Sequence, residues 1–239
     1  MAKQDRAIRT RQTILSAAAK VFEKHGYQAA TITEILAEAG VTKGALYFHF
    51  QSKGELAQGV LSEQDQRLTV PDRPCKTQQV VDVIMLHAHR LQTDPMVRAG
   101  VRLSLDQQAQ DLDRSGPFLN WSQIMRGLLE KAQAQGELLP HVAPHETSDV
   151  LVGSFAGIQA MSQALSNYQD LDERVRSLLR HLLPSVILAS VLASVDLSQT
   201  RGRTVFTELT ETPAKKTNTP AGQNPSSGPG TDRPRHLTP

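Results

Sequence analysis

Apolar residues recur along most of the chain at the three- and four-residue spacing of an α-helix, and no run of alternating β-branched residues indicates a strand. The pattern predicts an all-α fold. Its breaks fall at glycines, prolines and polar turns. The later helices are predicted over residues 76–92, 96–110, 117–135, 146–167 and 171–196. Pro184 is expected to kink the last of these or to divide it.

Shorter helices precede these, and two of them open with the pattern of a capping box, in which a Ser or Thr stands three residues before a Glu. Thr31 and Glu34 form the first box, and Ser52 and Glu55 form the second. The helix after the second box is predicted to run to about Leu68. These signals place compact, well-bounded helices in the N-terminal quarter of the chain.

A glycine turn at Gly40 joins two of the short helices, the second over residues 43–49, in the pattern of a helix-turn-helix. The Thr42 hydroxyl can bond a phosphate or a base edge, and Lys43 can reach guanine O6 or N7. Gly44 removes a side chain where the backbone must approach DNA closely. We therefore predict that this helix enters the major groove. The alternative is an ordinary helical hairpin with a solvated polar face.

Charge divides the chain into three parts. Residues 1–53 hold eight basic and four acidic side chains, whereas residues 54–197 hold twelve basic and seventeen acidic ones. A cationic head on an acidic body predicts that a polyanion meets the N-terminal end. Residues 198–239 contain six prolines, four glycines and twelve Ser or Thr, so little of this part can be buried. We predict a DNA-binding domain at 1–53, a helical ligand-binding and dimerisation domain at 54–197, and a disordered tail at 198–239.

Other function classes find little support. The single cysteine, Cys75, has no metal- or redox-motif neighbours, which favours a reducing cytoplasm. Residues 1–12 lack the apolar segment of a secretory signal, and no stretch is long enough to span a bilayer. The Ser of Gly153–Gly157 stands one place too early for a nucleophile elbow. His87 and His89 point to different sides of a helix and make a poor metal pair. We predict no catalytic residues, no metal and no cofactor.

The segment AATITEILAEAGVTKGALYFHF at residues 29–50 resembles the DNA-binding region of the TetR family of repressors, and the likeness runs from about residue 6 to 66. The form VTKGALYFHF, the opening MAKQ and the lone tryptophan at Trp121 further resemble the γ-butyrolactone receptor subfamily. The resemblance implies a three-helix helix-turn-helix domain followed by a helical ligand-binding and dimerisation domain. It also implies a repressor of secondary-metabolism genes that a small diffusible autoregulator releases from DNA.

The resemblance assigns seven DNA contacts by position. One comes from the helix before the recognition helix, five from the recognition helix itself, and one, to a phosphate, from the segment after it. They are Thr33, then Thr42, Lys43, Gly44, Tyr47 and His49, and finally Lys53. Separately, the arginines at positions 6, 9 and 11 are either an arm that reaches DNA or a solvated first turn.

The resemblance also places Trp121 in the ligand pocket, over the lactone ring. A butyrolactone needs an apolar enclosure with few polar anchors. We predict Gln64, near the junction of the two domains, and Gln159 as those anchors. Phe155 is predicted to be a wall of the pocket.

The last two predicted helices are apolar over more than one stripe, and the surplus predicts a homodimer through a four-helix interface, with two heads on a palindromic operator. Ligand in the body is expected to shift the helix over residues 54–68 and so change the spacing of the recognition helices.

One alternative is a TetR-type repressor that answers a different small molecule, such as a butenolide, a furan or an antibiotic intermediate. An architectural DNA binder without a ligand is another, and the separate acidic body argues against it.

Overall fold

The computed structural model describes residues 2–66, 71–107, 109 and 112–211. Within those ranges the chain folds into helices, with one isolated bridge between Leu138 and Ile187, and the all-α prediction is confirmed. In the described ranges no helix is long and apolar enough to cross a membrane. The α-helices there are α1 Ala2–Ala29, α2 Ile32–Ala39, α3 Lys43–His49, α4 Lys53–Gln66, α5 Lys76–Thr93, α6 Pro95–Leu105, α7 Ser115–Ala134, α8 Pro144–Ser166, α9 Leu171–Leu182, α10 Ala189–Leu192 and α11 Arg201–Glu211.

A first apolar core joins α1, α2, α3 and α4. It contains Phe22, Ile35, Leu46 and Leu61, one from each helix in turn, and all four are buried. Met96 of α6 belongs to the same core. Packing therefore puts α4 with the helix-turn-helix. The predicted domain boundary at residue 53 stays a prediction, and α4 begins at that residue.

A second core forms the body from α5, α7, α8 and α9. Val97 and Val101 of α6 are buried in it, whereas Met96 and Leu103 of the same helix are buried in the first core. Helix α6 thus has one face in each core. It is the structural element that the head and the body share.

The local signals around the helix-turn-helix are present in the structure. The Thr31 hydroxyl accepts a hydrogen bond from the Glu34 backbone N–H at 3.2 Å, and a Glu34 carboxylate oxygen accepts one from the Thr31 N–H at 3.0 Å. Gly40 ends α2 at φ 62°, a left-handed conformation that favours glycine. The Thr42 hydroxyl caps α3 by accepting from the Ala45 N–H. The first capping box and the glycine turn predicted from the sequence are confirmed.

Only one of the two hydrogen bonds of the second capping box forms. The Ser52 hydroxyl accepts from the Glu55 N–H at 3.1 Å, but the Glu55 carboxylate accepts from the N–H of Gln51 instead of Ser52. Further along the chain, a 3-10 turn at Leu183–Ser185 separates α9 from α10, so Pro184 divides the last predicted helix.

The prediction of disorder from residue 198 is wrong for residues 201–211, which form α11 against α5. Val205 of α11 is buried. Gly202 allows a close approach, because a Cβ at that position would overlap the Met85 carbonyl oxygen of α5. The rest of the predicted tail, residues 212–239, lies outside the described residues.

A buried carboxylate attaches α11 to the body. Asp82 of α5 is fully buried, and its two oxygens accept hydrogen bonds from Nε and Nη2 of Arg201, each at 2.7 Å. Arg73 and Gln78 donate to the same carboxylate. Burial by itself raises the pKa of Asp82, but the hydrogen bonds from these donors hold the pKa below its usual value. The polar composition of this segment predicts that it is solvated. One of its polar residues, Arg201, instead forms an ion pair with a buried carboxylate.

Candidate DNA-binding surface and ligand cavity

Helix α3 is fixed to the head by Leu46 within it and by Phe50 at its end, both of which are buried in the first core. The backbone N–H of Phe50 donates to the Leu46 carbonyl and closes the helix. The other side of α3 faces outward. The exposed residues there are Thr42, Lys43, Gly44, Tyr47 and Phe48.

Two pairs of side-chain positions, each four residues apart, make up this outward face. Lys43 Nζ lies 5.8 Å from the centroid of the Tyr47 ring. Gly44 stands one turn before Phe48, whose side chain is 77% exposed. A Cβ at Gly44 would have no protein atom within 4 Å. Packing within the protein therefore does not require glycine at this position.

The other predicted DNA contacts differ in their surroundings. Thr33 is exposed in the first turn of α2, and the half-buried His49 ring lies edge-on to Phe48 at 5.0 Å. Lys53 Nζ donates to the backbone carbonyls of Gln28 and Ala30, each at 3.2 Å. This ammonium also lies 4.7 Å from the centroid of the Tyr27 ring, so Lys53 is engaged within the head.

The arginines near the N-terminus lie on α1 and not on an extended arm. Arg6, Arg9 and Arg11 are exposed on this helix. The Arg11 guanidinium lies over the Phe50 ring at 5.1 Å. Of the two possibilities left open by the sequence, the structure therefore shows exposed helical residues.

A cavity lies in the body, bounded by α4, α5, α6, α7 and α8. It has about 590 Å³ of space free of protein atoms, part of it open to solvent. All four predicted ligand residues, Gln64, Trp121, Phe155 and Gln159, line it. The remaining lining residues are Ile84, His87, Val101, Ser104, Pro117, Phe118, Met125, Leu151, Val152 and Ala156.

Three polar atoms of the cavity wall are buried without a hydrogen-bond partner. They are Oε1 of Gln64, Nδ1 of His87 and Oε1 of Gln159. Buried polar atoms in folded proteins are nearly always paired, and each one left unpaired costs roughly 1–3 kcal/mol. Three such atoms around one apolar cavity are the arrangement expected where a bound molecule supplies the missing partners.

His87 lines the cavity as well, although it was not predicted to do so. Its ring centroid lies 4.5 Å from that of Trp121 and 5.3 Å from that of Phe155, so aromatic rings fix it on two sides. Burial and, to a smaller extent, the positive charge of Arg90 lower the pKa of His87 to about 3. The imidazole is therefore neutral at pH 7. A usable signal was present, because His87 continues the apolar stripe of Val80, Val83 and Ile84.

Helices α4 and α6 connect the cavity with the head. Gln64 brings α4 to the cavity wall, and Ser104 brings α6, with its hydroxyl donating to the Gly100 carbonyl at 2.9 Å. On its other side α6 holds the end of α1, because Arg98 pairs with the Glu23 carboxylate and Arg102 donates to the Glu23 carbonyl. Two helices that line the cavity thus also hold the helix-turn-helix head in place.

No group of three His, Cys, Asp or Glu side chains suited to a metal ion occurs among the described residues. In the cavity wall, His87 is the sole titratable side chain that the described residues contribute. The wall is therefore suited to holding a small molecule through apolar contacts and a few hydrogen bonds.

Comparison with known proteins shows the family of the chain. Residues 14–60 match the sequence pattern of bacterial regulatory proteins of the tetR family. The A-factor receptor protein of Streptomyces griseus is 40% identical over 195 residues, which are 82% of this chain and 70% of that protein.

Solved structures extend the similarity to the whole fold. The crystal structure of TylP, a TetR regulator from Streptomyces fradiae, has a TM-score of 0.79 at 45% identity and covers 85% of this chain and 98% of that one. A γ-butyrolactone receptor described as ArpA-like has a TM-score of 0.64 at 27% identity, over 85% and 99% of the two chains. These relatives are described as regulators and receptors. On the match at residues 14–60 and the extent of these similarities, the chain belongs to the tetR family of bacterial regulatory proteins.

Proposed function

We propose that this protein is a homodimeric transcriptional repressor of the bacterial cytoplasm, which binds palindromic operator DNA and is released from it by a small γ-butyrolactone-type signalling molecule. The observation that carries the proposal is the cavity, whose mostly apolar wall contains Trp121 and three polar atoms without partners. The target genes are those of secondary metabolism and antibiotic production. Support for this class of gene comes from the resemblance to receptors that answer diffusible autoregulators.

The proposed DNA contact is the outward face of α3. Lys43 and Tyr47 lie together on it, and the exposed Thr42 hydroxyl keeps its own proton for donation while it caps the helix. The free N–H groups of the first turn add a partial positive charge suited to a phosphate. Thr33 from α2, with His49 and Lys53 from the end of the motif, complete the set of proposed contacts.

The proposed dimer forms through α8 and its neighbour α9. Helix α8 carries an exposed apolar stripe, in which Val150, Met161 and Leu165 are 55%, 44% and 68% exposed. Gly153 and Gly157 lie between them, and a Cβ at either would meet no atom of this chain within 4 Å. A second copy of α8 could approach closely there, and the pair of helices from each copy would make a four-helix interface. Two heads then match the two half-sites of a palindrome.

Small molecules of the butyrolactone type suit the cavity because most of its wall is apolar and its polar atoms are few. The relatives support this class, since one is an A-factor receptor and another a γ-butyrolactone receptor. In the proposed complex Trp121 stacks on the lactone ring and Phe155 forms a wall. Gln64 and Gln159 offer carbonyl oxygens without partners.

Release from DNA follows from the two helices that connect the cavity with the head. A ligand that fits between Gln64 of α4 and Ser104 of α6 can displace these helices, and with them the head that both helices hold. The recognition helices of the two subunits then leave the spacing that matches the operator. Such a switch requires the ligand to bind the released state more tightly, and a difference of about 1–3 kcal/mol is typical of allosteric coupling.

A gel shift at one fixed salt concentration tests the proposal, because phosphate contacts make affinity depend steeply on salt. The DNA is the region upstream of the protein's own gene, and each lane receives one member of a panel of γ-butyrolactones and butenolides. We expect a specific shift that at least one γ-butyrolactone abolishes. A specific shift that only a butenolide or no panel member disturbs would retain the repressor and refute the proposed ligand. No specific shift would refute the repressor.

A further inference from the structure

Phe48 differs from the other residues on the outward face of α3 because it presents a large side chain without any hydrogen-bonding group. We propose that Phe48 is a specificity-determining residue for DNA, whose ring contacts the C5-methyl group of one thymine in each half-site of the operator. The inference rests on the proposed function, in which the outward face of α3 contacts operator DNA. It deepens that function by naming a base that the head reads and the residue that reads it.

The Phe48 side chain points away from the core that fixes α3. Leu46 and Phe50 are buried in that core, and each lies two residues from Phe48, which is a rotation of about 200° around a helix. The Phe48 side chain is 77% exposed, although its ring meets the His49 ring edge-on at 5.0 Å. Packing within the head therefore leaves most of this ring free for a partner, at the middle of the outward face.

The space beside the Phe48 ring is open. A helical side chain leans towards the N-terminus of its helix, so the Phe48 ring lies over the turn that contains Gly44. A Cβ at Gly44 would have no protein atom within 4 Å. A carbon atom of methyl size therefore fits beside the ring without displacing any part of the protein.

The major groove contains one group that suits an apolar side chain. Its base edges present hydrogen-bond donors and acceptors, and the C5-methyl group of thymine is the apolar exception. A phenyl ring placed against a donor or an acceptor would remove water from that atom without replacing the hydrogen bond, which is unfavourable. An exposed ring on a helix that binds in this groove is thus expected to lie against thymine.

The length of α3 brings Phe48 into the groove together with the start of the helix. Its seven residues rise by about 10 Å, and the major groove of B-DNA is about 12 Å wide. Lys43 and Phe48 are five residues apart, so a helix whose outward face enters the groove at Lys43 also places the Phe48 ring between the two DNA backbones.

Replacement of thymine by deoxyuridine tests the inference, because deoxyuridine lacks the C5-methyl group and keeps the same hydrogen-bonding edge. The probe is the shortest fragment upstream of the protein's own gene that gives the specific gel shift. One thymine position is replaced at a time, in both half-sites together, and all affinities are measured at one salt concentration. For the unaltered protein we expect one position at which replacement weakens binding about tenfold, since one buried methyl group contributes about fourfold in each half-site.

The variant Phe48→Ala should lose this discrimination. It should bind the thymine operator at least tenfold more weakly, and deoxyuridine at the sensitive position should then have no further effect. A ring that merely supports His49 would give a different result, because its loss would weaken binding to thymine and deoxyuridine DNA by equal factors.

Leu119→Ala is the matched control, since it removes another exposed apolar side chain, 66% exposed, from α7 in the body. This control should bind both kinds of DNA as the unaltered protein does. Thermal unfolding of each variant checks that it folds. The comparison of thymine with deoxyuridine on the unaltered protein needs no variant at all.

Failure of this inference can be told apart from failure of the proposed function. If the protein binds the operator and a lactone releases it, but no thymine position responds to deoxyuridine, the inference is overturned and the proposed function stands. The inference is also overturned if folded Phe48→Ala keeps the full sensitivity to deoxyuridine. If the protein gives no specific gel shift, both are overturned.

Discussion

Gln64 of α4 lies against Gly100 of α6 so closely that a methyl group at position 100 would overlap the glutamine's side-chain amide. Gln64 is buried and lines the cavity, and its Oε1 has no hydrogen-bond partner. Because α4 packs in the core of the helix-turn-helix, Gln64 is a point at which the DNA-binding head reaches the cavity. Glycine at position 100 provides the space for that contact.

Gly100→Ala should therefore displace the Gln64 amide and weaken the response to ligand. We expect release of operator DNA to require at least tenfold more lactone, while affinity for the operator without lactone changes by no more than about twofold. The helix itself tolerates alanine, which is more favourable than glycine by about 1 kcal/mol in a helix interior. Gel shifts titrated with lactone measure both quantities. The control is Gly127→Ala in α7, where a Cβ would meet no atom within 4 Å; equal lactone requirements for the two variants would contradict the proposed contact.

Gly44→Ala separates folding from DNA binding. In the free protein an added Cβ meets open space, so we expect the free energy of unfolding to stay the same or to rise by up to about 1 kcal/mol. If the backbone at this position approaches DNA closely, the methyl group must reduce operator affinity, by at least tenfold. Urea unfolding and a gel shift on the same preparation test this. Undiminished operator affinity would show that the first turn of α3 does not approach the DNA closely.

Lys43→Ala should weaken operator binding at least tenfold without changing lactone affinity, because its side chain is exposed on α3 and the cavity lies in the body. If Lys43 contacts a phosphate, the slope of log affinity against log salt should also fall by about one. Lys20→Ala is the matched control, since it removes the same charge from the head but the Lys20 ammonium already pairs with Glu38 at 2.7 Å. A loss shared equally between DNA and lactone would argue against a division of labour between head and body.

Local signals in the sequence predicted the helix-turn-helix well because their partners are close in the chain. The hydrogen bonds between Thr31 and Glu34 span three residues, and the left-handed conformation of Gly40 depends on its own backbone. Helix periodicity likewise found α5 to within one residue at its end. The second capping box shows the limit of such reasoning, since Glu55 bonds to the N–H one residue before the predicted partner.

The cavity was predicted in part. Gln64, Trp121, Phe155 and Gln159 lie around one space, as expected, but Trp121 was identified from the family resemblance and not from periodicity. His87 was considered only as a possible metal ligand together with His89. Its role depends on rings from α7 and α8 that only the tertiary fold brings to it. No pattern within one helix carries that information.

Helix α11 was missed for a similar reason. Arg201 and its partner Asp82 are 119 residues apart in the sequence. Composition describes α11 as polar and Thr-rich, which favours a solvated chain. The pairing with a buried carboxylate of α5 provides the stabilisation that composition alone does not predict.

Removal of α11 should therefore destabilise the body. A chain that ends at residue 200 loses both hydrogen bonds from Arg201 to the buried Asp82, and loss of one partner of a buried ion pair typically costs about 3–5 kcal/mol. Arg73 still pairs with Asp82, so we expect about 3 kcal/mol. A chain that ends at Glu211 retains α11 and is the control. Urea unfolding of the two truncated proteins tests this, and equal stabilities would mean that α11 contributes nothing to the fold.

His87 should make the stability of the protein depend on pH. Its pKa is about 3 in the folded state against an ordinary value of 6.5, so between these values the unfolded chain binds a proton that the folded chain does not. The free energy of unfolding must then fall as the pH is lowered, by about 2 kcal/mol from pH 7 to pH 5 for this one group, since a full proton contributes about 1.4 kcal/mol per pH unit.

Both His87→Phe and His87→Gln remove this titration, so the difference in free energy of unfolding between the unaltered protein and either variant should shrink in the same way as the pH falls from 7 to 5. Urea unfolding at intervals of half a pH unit measures that difference. Two variants are used to separate the effect of proton binding on stability from the effect of packing. Phenylalanine and glutamine alter the packing beside Trp121 differently, but both remove the same proton-binding site. Suppose instead that the free energy of unfolding of the unaltered protein and of the variants changes with pH in parallel down to pH 5. The imidazole would then take up a proton in the folded protein, and the cavity would present a cation to its ligand.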